Sequence, residues 1–174
     1  KTFAYDLSMG MNPVLAFNTK SPVVCVKSST EGNFIGVGCS DGNIRIIDGR
    51  LRSHHIERGF KAHTGSVNDL VMDEANMIVM SVGLNSRAIN PYDPQSPVTY
   101  QPDTSIKVFD MRMMSPGRPI PLSIPSPNTI QSIFNSDGSE SRGGGSVMVT
   151  STDGYIQFFN GGFEQESEVM FGGF

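Results

Sequence analysis

Phe34-Ile35-Gly36-Val37-Gly38-Cys39-Ser40-Asp41-Gly42-Asn43-Ile44-Arg45-Ile46-Ile47-Asp48 decides the fold. It holds two apolar runs joined by an Asp-Gly dipeptide, which supplies a positive φ cheaply in a tight hairpin. The second run ends in a bulky apolar residue and then an acid, and that ending recurs. Thr2-Phe3-Ala4-Tyr5-Asp6, Ile44-Arg45-Ile46-Ile47-Asp48, Ile106-Lys107-Val108-Phe109-Asp110 and Ile156-Gln157-Phe158-Phe159-Asn160 close at positions 6, 48, 110 and 160, so they lie 42, 62 and 50 residues apart. The first interval is one propeller blade. Asp41, Asp103 and Asp153 each stand seven positions before the last three closing residues, so two independent markers share one register.

Working outward, Val23 to Val26, Ser66 to Met72 and Ile130 to Phe134 read as the strands that precede each hairpin, and Ile56 to Phe60 as an outer strand. Ile44 to Ile47 and Met77 to Met80 are apolar on both sides in places, as expected for sheets buried on both faces by their neighbours. The expectation is an all-β, partial propeller of four-stranded antiparallel blades. Residues 1–20 would supply the last strands of one blade, 21–61 a second, 62–126 a third with an inserted loop at 84–102, and 127–174 a partial blade with a tail. The stretch 135–145, ending in three glycines, reads as a surface loop.

Composition agrees. The 174 residues are 37% hydrophobic and 17% charged, with 19 Gly and 11 Pro, which suits many short strands joined by turns in one domain. A net charge of −4 argues against a protein that binds nucleic acid over its whole surface. The two cysteines, Cys25 and Cys39, cannot build a disulfide framework and read as buried thiols in a reducing compartment. Neither a signal peptide nor an apolar run near the ~18 residues of a membrane span is visible. The expected protein is soluble and cytoplasmic, with no membrane partner, and the missing initiator Met suggests a fragment.

Against this background the chain resembles the WD-repeat family, whose blades carry Gly-His before the first strand and Trp-Asp at the end of the third. Ala62-His63 takes the former place, and Tyr5-Asp6, Ile47-Asp48, Phe109-Asp110 and Phe159-Asn160 the latter. The resemblance implies a buried network of His63, the turn acid Asp103 and the strand hydroxyl Ser81, with Asp41, Asp153 and Asp110 as structural turn residues. The chain has no Trp, so the indole arm of that network is absent. Lys61 to Asp69, Val82 to Arg87 and the run Ile106-Lys107-Val108-Phe109-Asp110-Met111-Arg112-Met113-Met114 are further similar to the propellers of poly(A)-specific deadenylase catalytic subunits. That likeness implies a non-catalytic recognition domain, with the exonuclease domain of the parent protein lying outside these residues. The implied partners are the pseudokinase-containing subunit, poly(A)-binding protein and poly(A) RNA.

Other chemistry fits poorly. Asp41, Asp103 and Asp153 recur one per blade, as turn builders do, and not as an acid-base pair. His54, His55 and His63 lack partners at metal-ligand spacing. Gly36 to Gly42 misses the dinucleotide pattern and leads into a hairpin, and Arg142 to Ser146 lacks the ending of a phosphate loop. No catalytic residue, cofactor or metal is expected. Arg45, Arg50, Arg52, Arg58 and Lys61 gather five of the thirteen Lys and Arg within seventeen positions, a candidate surface for RNA phosphates or an acidic partner, with Arg50, Arg52, Arg58 and Lys61 as its binding residues. The rival readings are a WD-repeat scaffold of an unrelated complex and a propeller hydrolase.

Overall fold

The computed structural model describes residues 2–5, 13–29, 31–50, 57–133, 146–160 and 165–170. They form strands and turns only, so no helix among them is long and apolar enough to cross a membrane. The strands β1 (Thr2–Tyr5) and β2 (Pro13–Phe17) pair as an antiparallel hairpin. A first four-stranded sheet follows, ordered β3 (Val23–Ser28), β4 (Phe34–Cys39), β5 (Asn43–Asp48) and β6 (Glu57–Lys61). The second is built on β7 (Val67–Asp73), β8 (Ile78–Ala88) and β10 (Ser105–Asp110). Its outer strand is split into β11 (Ser115–Pro116) and β12 (Ile120–Pro121), and β9 (Val98–Pro102) pairs the far end of β8. The third is ordered β13 (Pro127–Ile133), β14 (Ser146–Ser151), β15 (Tyr155–Phe159) and β16 (Gln165–Met170).

Apolar residues on both faces of the central strands pack these sheets face to face. Ile44 and Ile46 of the first sheet meet Val67, Leu70, Met72 and Phe109 of the second. Met80, Val82 and Ile106, on the second sheet's other side, meet Ile130, Val147, Val149 and Phe159 of the third. Close approach on the first side depends on small residues, because a Cβ on Gly36 would lie 2.9 Å from Leu70 Cδ1 and one on Gly38 2.8 Å from Val67 Cγ1. Phe60 and Phe109 stack between the two sheets at 4.0 Å, worth about 0.5–1.5 kcal/mol beyond their buried area.

The inner strands carry one irregularity three times. Register shifts by a residue between Val23 and Cys25, Val67 and Asp69, and Pro127 and Thr129. A bulge of this kind bends the strand and raises its twist.

Three expectations need correction. The last blade is not partial, since β16 completes it. Its sequence, Gln-Glu-Ser-Glu-Val-Met, lacks the apolar run that marks a strand, because an outer strand pairs along one edge only. Residues 84–102 are not a loop. β8 continues to Ala88, β9 pairs back along it, and only 89–97 turn. The prolines that suggested a loop are harmless here: Pro97 uses only its carbonyl, accepting from Ile89 N, and the Pro102 nitrogen points away from β8. Finally, Cys25 is half-buried, although Cys39 is fully buried.

Candidate functional site: a buried network in the central blade

The candidate residues converge where the first hairpin turn meets the second sheet. Gly42, at φ +80°, offers its carbonyl to Ala62 N and His63 N at 2.9 and 3.1 Å. A Cβ on Gly42 would collide with the His63 carbonyl at 2.0 Å, so the Asp-Gly turn of one blade docks directly on the loop that opens the next. That loop delivers the His63 ring against Gly83, where a Cβ would meet His63 Cδ2 at 2.8 Å.

His63 Nδ1 lies 3.1 Å from Asp103 Oδ2 and Nε2 lies 3.0 Å from Ser81 Oγ. The carboxylate can only accept, so Nδ1–H donates to it, and in that neutral tautomer Nε2 accepts from the Ser81 hydroxyl. Asp103 Oδ1 accepts from Ser105 Oγ at 2.7 Å, and Lys107 Nζ sits 3.1 Å from Oδ2 while donating to Ser105 Oγ at 2.8 Å. Burial works to raise the Asp103 pKa, but the donors His63, Ser105 and Lys107 outweigh it and hold the carboxyl far below its ordinary range. Lys107 and Ser105 thus complete a network whose indole arm is missing, and sequence reasoning missed both. Phe109 instead stacks in the apolar core.

The order Ser81, His63, Asp103 matches a nucleophile, base and orienting acid. Its burial decides against acyl transfer: Ser81, His63 and Asp103 are 0%, 2% and 4% exposed, so no substrate reaches the hydroxyl. The arrangement stabilises structure instead.

The other turn acids are less enclosed. Asp41 Oδ1 accepts from Asn43 N at 3.1 Å, and Lys61 Nζ donates to the Asp41 carbonyl. Burial nudges the Asp41 carboxyl up, but hydrogen bonds from Asn43 hold it below its usual value. Asp153 lies exposed in the β14–β15 turn, its N–H donating to Ser151 Oγ. Asp110 closes β10 and accepts from Met113 N and Arg112 N, which lower its pKa.

Two further acids tie blades together, and neither falls in the repeating register. Asp69, buried on β7, sits 3.2 Å from Lys27 Nζ on the first sheet and accepts from Ile130 N on the third at 3.1 Å. Glu74, in the β7–β8 turn, accepts from Ser29 Oγ at 2.5 Å and Asn33 Nδ2 at 2.6 Å, which hold its carboxyl below the usual range. An acid inside an apolar strand at a bulge was the available signal for Asp69.

Two described members of the basic cluster, Arg50 and Lys61, stand at opposite ends of β5. Arg50 forks onto Asp48 at 2.9 and 2.7 Å and lies over the Phe34 ring. Lys61 pairs with Asn43 at the opposite end of β5, about 17 Å of strand away. Arg52, His54 and His55 lie outside the described residues, as do the side chain of Arg58 and the stretch 135–145. No group of three or more His, Cys, Asp or Glu among the described residues is arranged to hold a metal ion.

Three antiparallel blades, turn-to-loop stitching and this network define a WD40-type β-propeller fold. Comparison with known proteins agrees. Residues 11–48 match the WD domain, G-beta repeat. The fold superposes on the Neurospora crassa Pan2 WD40 domain with a TM-score of 0.57 at 21% identity, covering 89% of this chain and 41% of that one. In sequence the chain is 25% identical over 126 residues to the PAN2-PAN3 deadenylation complex catalytic subunit PAN2 of Scheffersomyces stipitis, covering 67% of this chain and 10% of that protein. It is 32% identical over 89 residues to the 78 kDa flagellar outer-arm dynein intermediate chain of Chlamydomonas reinhardtii, covering 47% of this chain and 13% of that protein. The chain therefore spans only about a tenth of the length of either relative.

Proposed function

We propose that this chain is the interaction scaffold of a poly(A) deadenylase subunit acting in the cytoplasm, where its blades present loops and edges to a pseudokinase-containing partner subunit and to RNA coated with poly(A)-binding protein. The observation that carries the reading is the fate of the catalytic-looking constellation among the described residues: Ser81, His63 and Asp103 are spent inside the fold, which favours surfaces as the functional part. The likeness to PAN2 over two thirds of the chain gives those surfaces a context. Chemistry would then belong to an exonuclease domain elsewhere in the parent protein.

Co-purification of the full-length protein with the pseudokinase subunit tests this. Association that survives high salt is expected, and so is the absence of nucleotide release when the 174-residue chain meets poly(A) and magnesium. Nuclease activity in this chain, or no association, overturns the reading. The match to a dynein intermediate chain favours one alternative, a WD-repeat scaffold of a motor complex. Recovery of motor subunits in place of the pseudokinase would select it.

A further inference from the structure

The central blade has an outer edge that is covered along half its length. β9 and β10 run end to end along β8, and the direction of their backbone groups follows from the bonds at each end. Asp103 N donates to Gly83 O and Ile89 N to Pro97 O, so the odd-numbered residues of 97–103 face β8. The even-numbered ones face outward. Alongside β10 those outward groups are used: Val108 O accepts from Gly117 N, Ile106 pairs with Ile120, and Thr104 O accepts from Leu122 N. Alongside β9 no described strand continues, and the N–H and C=O groups of Val98 and Tyr100 face solvent.

The side chains sharpen the point. Val98, Tyr100 and Pro102 share a face with Leu84, Ser86 and Ala88, whereas Thr99 and Gln101 take the other. That face, apolar but for the hydroxyls of Ser86 and Tyr100, is open, with Val98 49% and Tyr100 63% exposed. Exposed edge strands are ordinarily protected by a charge, a proline, a bulge or a cover. The one proline of β9, Pro102, stands at its end and leaves the outward N–H groups of Val98 and Tyr100 in place. β9 carries no charge, and the whole of 84–102 holds only Arg87 and Asp93, which cancel. A neutral ribbon has no means of neutralising phosphates, so nucleic acid is a poor occupant.

We propose that β9 is a β-augmentation site. An uncharged extended segment of a partner protein adds beside Val98–Pro102 in line with β12. It bonds the outward groups of Val98 and Tyr100 and lays its own alternate apolar side chains on the Val98–Tyr100 face. Main-chain bonds supply affinity and the apolar face supplies selectivity. The site stands independently of any role in deadenylation.

The test uses the full 174-residue chain, labelled with ¹⁵N, and an acetylated, amidated heptapeptide alternating Thr and Val, beside its N-methylated twin. The unmethylated peptide is expected to shift the Val98 and Tyr100 amides and slow their exchange with solvent, and the twin to do neither. Tyr100→Pro removes an outward N–H and is expected to weaken binding at least tenfold. Val98→Lys keeps the backbone, adds the missing edge charge, and is expected to do the same should the proline variant fold poorly. No binding, equal binding of the twin, indifference to both variants, or shifts confined to the Phe60–Phe109 cleft would overturn the proposal. So would concentration-dependent self-association of the chain that Val98→Lys abolishes, or shifts of Tyr100 by oligo(A) in place of the peptide.

Discussion

The central blade and its two neighbours share a register and an acid, and differ in what surrounds that acid. The strand position of Ser81, between Leu70 and Lys107, is Val37 in the first sheet, between Val26 and Arg45, and Val149 in the third, between Ile130 and Gln157. Only the central blade adds His63 and buries its acid. Asp41 is half-buried and Asp153 exposed, so each serves its local turn, while Asp103 anchors His63, Ser105 and Lys107 directly and Ser81 through His63. An acid at this register is thus common to the repeat, and a buried network is an addition that one blade carries on top of it.

The largest test of that contrast is Asp103→Ala against Asp153→Ala in urea denaturation. Removing the buried acid strands His63 and Lys107 and is expected to cost about 3–5 kcal/mol, whereas the exposed acid should cost within about 0.5 kcal/mol. Equal losses would erase the distinction. Next come two positive-φ glycines of the first sheet. Gly32→Ala, with nothing within 4 Å of the added Cβ, should lose about 1–2 kcal/mol from backbone strain alone. Gly42→Ala drives a Cβ into the next blade's loop and should lose about 1–3 kcal/mol more.

A third comparison sets Asp69 against Thr129, its equivalent at the bulge of the third inner strand. Asp69→Ala leaves the Ile130 N–H without its acceptor, at about 1–3 kcal/mol. Thr129→Ala breaks only a hydroxyl contact with Thr150 and should stay near 0.5 kcal/mol, as calorimetry would show. The smallest effect is one of slope. Because the Asp103 pKa is depressed on folding, the unfolded chain binds the extra proton as pH drops below about 4. The stability it contributes is complete above that pH and is lost on the way down, at up to about 1.4 kcal/mol per pH unit. Asp103→Asn should flatten acid unfolding in that range, and an unchanged slope would assign it to Asp48, Glu74 and the other depressed carboxylates.

The strands and turns were legible because they repeat: the Asp-Gly hairpins and the closing residues at 48, 110 and 160 declare a period. His63, Ser81 and Asp103 could be grouped only through the family pattern, and the structure sets His63 between the other two, 3.0 Å from Ser81 and 3.1 Å from Asp103. Lys107 escaped because a cation in an alternating strand reads as a solvated side chain. Asp69 and Glu74 escaped because their partners lie in other blades, 41 to 61 residues away along the chain, and no local pattern encodes such pairings. The ribbon at 84–102 was obscured by four prolines, each of which avoids a ladder donor.

Asp69 has a consequence for how the molecule opens. Repeat architectures can unfold one unit at a time, because each unit touches only its neighbours. A single carboxylate that grips Lys27 on one side and the Ile130 amide on the other makes loss of either flanking sheet visible to both. Hydrogen exchange at Ile130 should then follow the free energy of opening the first sheet, although the two share no strand. The three sheets are geared, and the cog is one acid on the inner strand of the middle sheet.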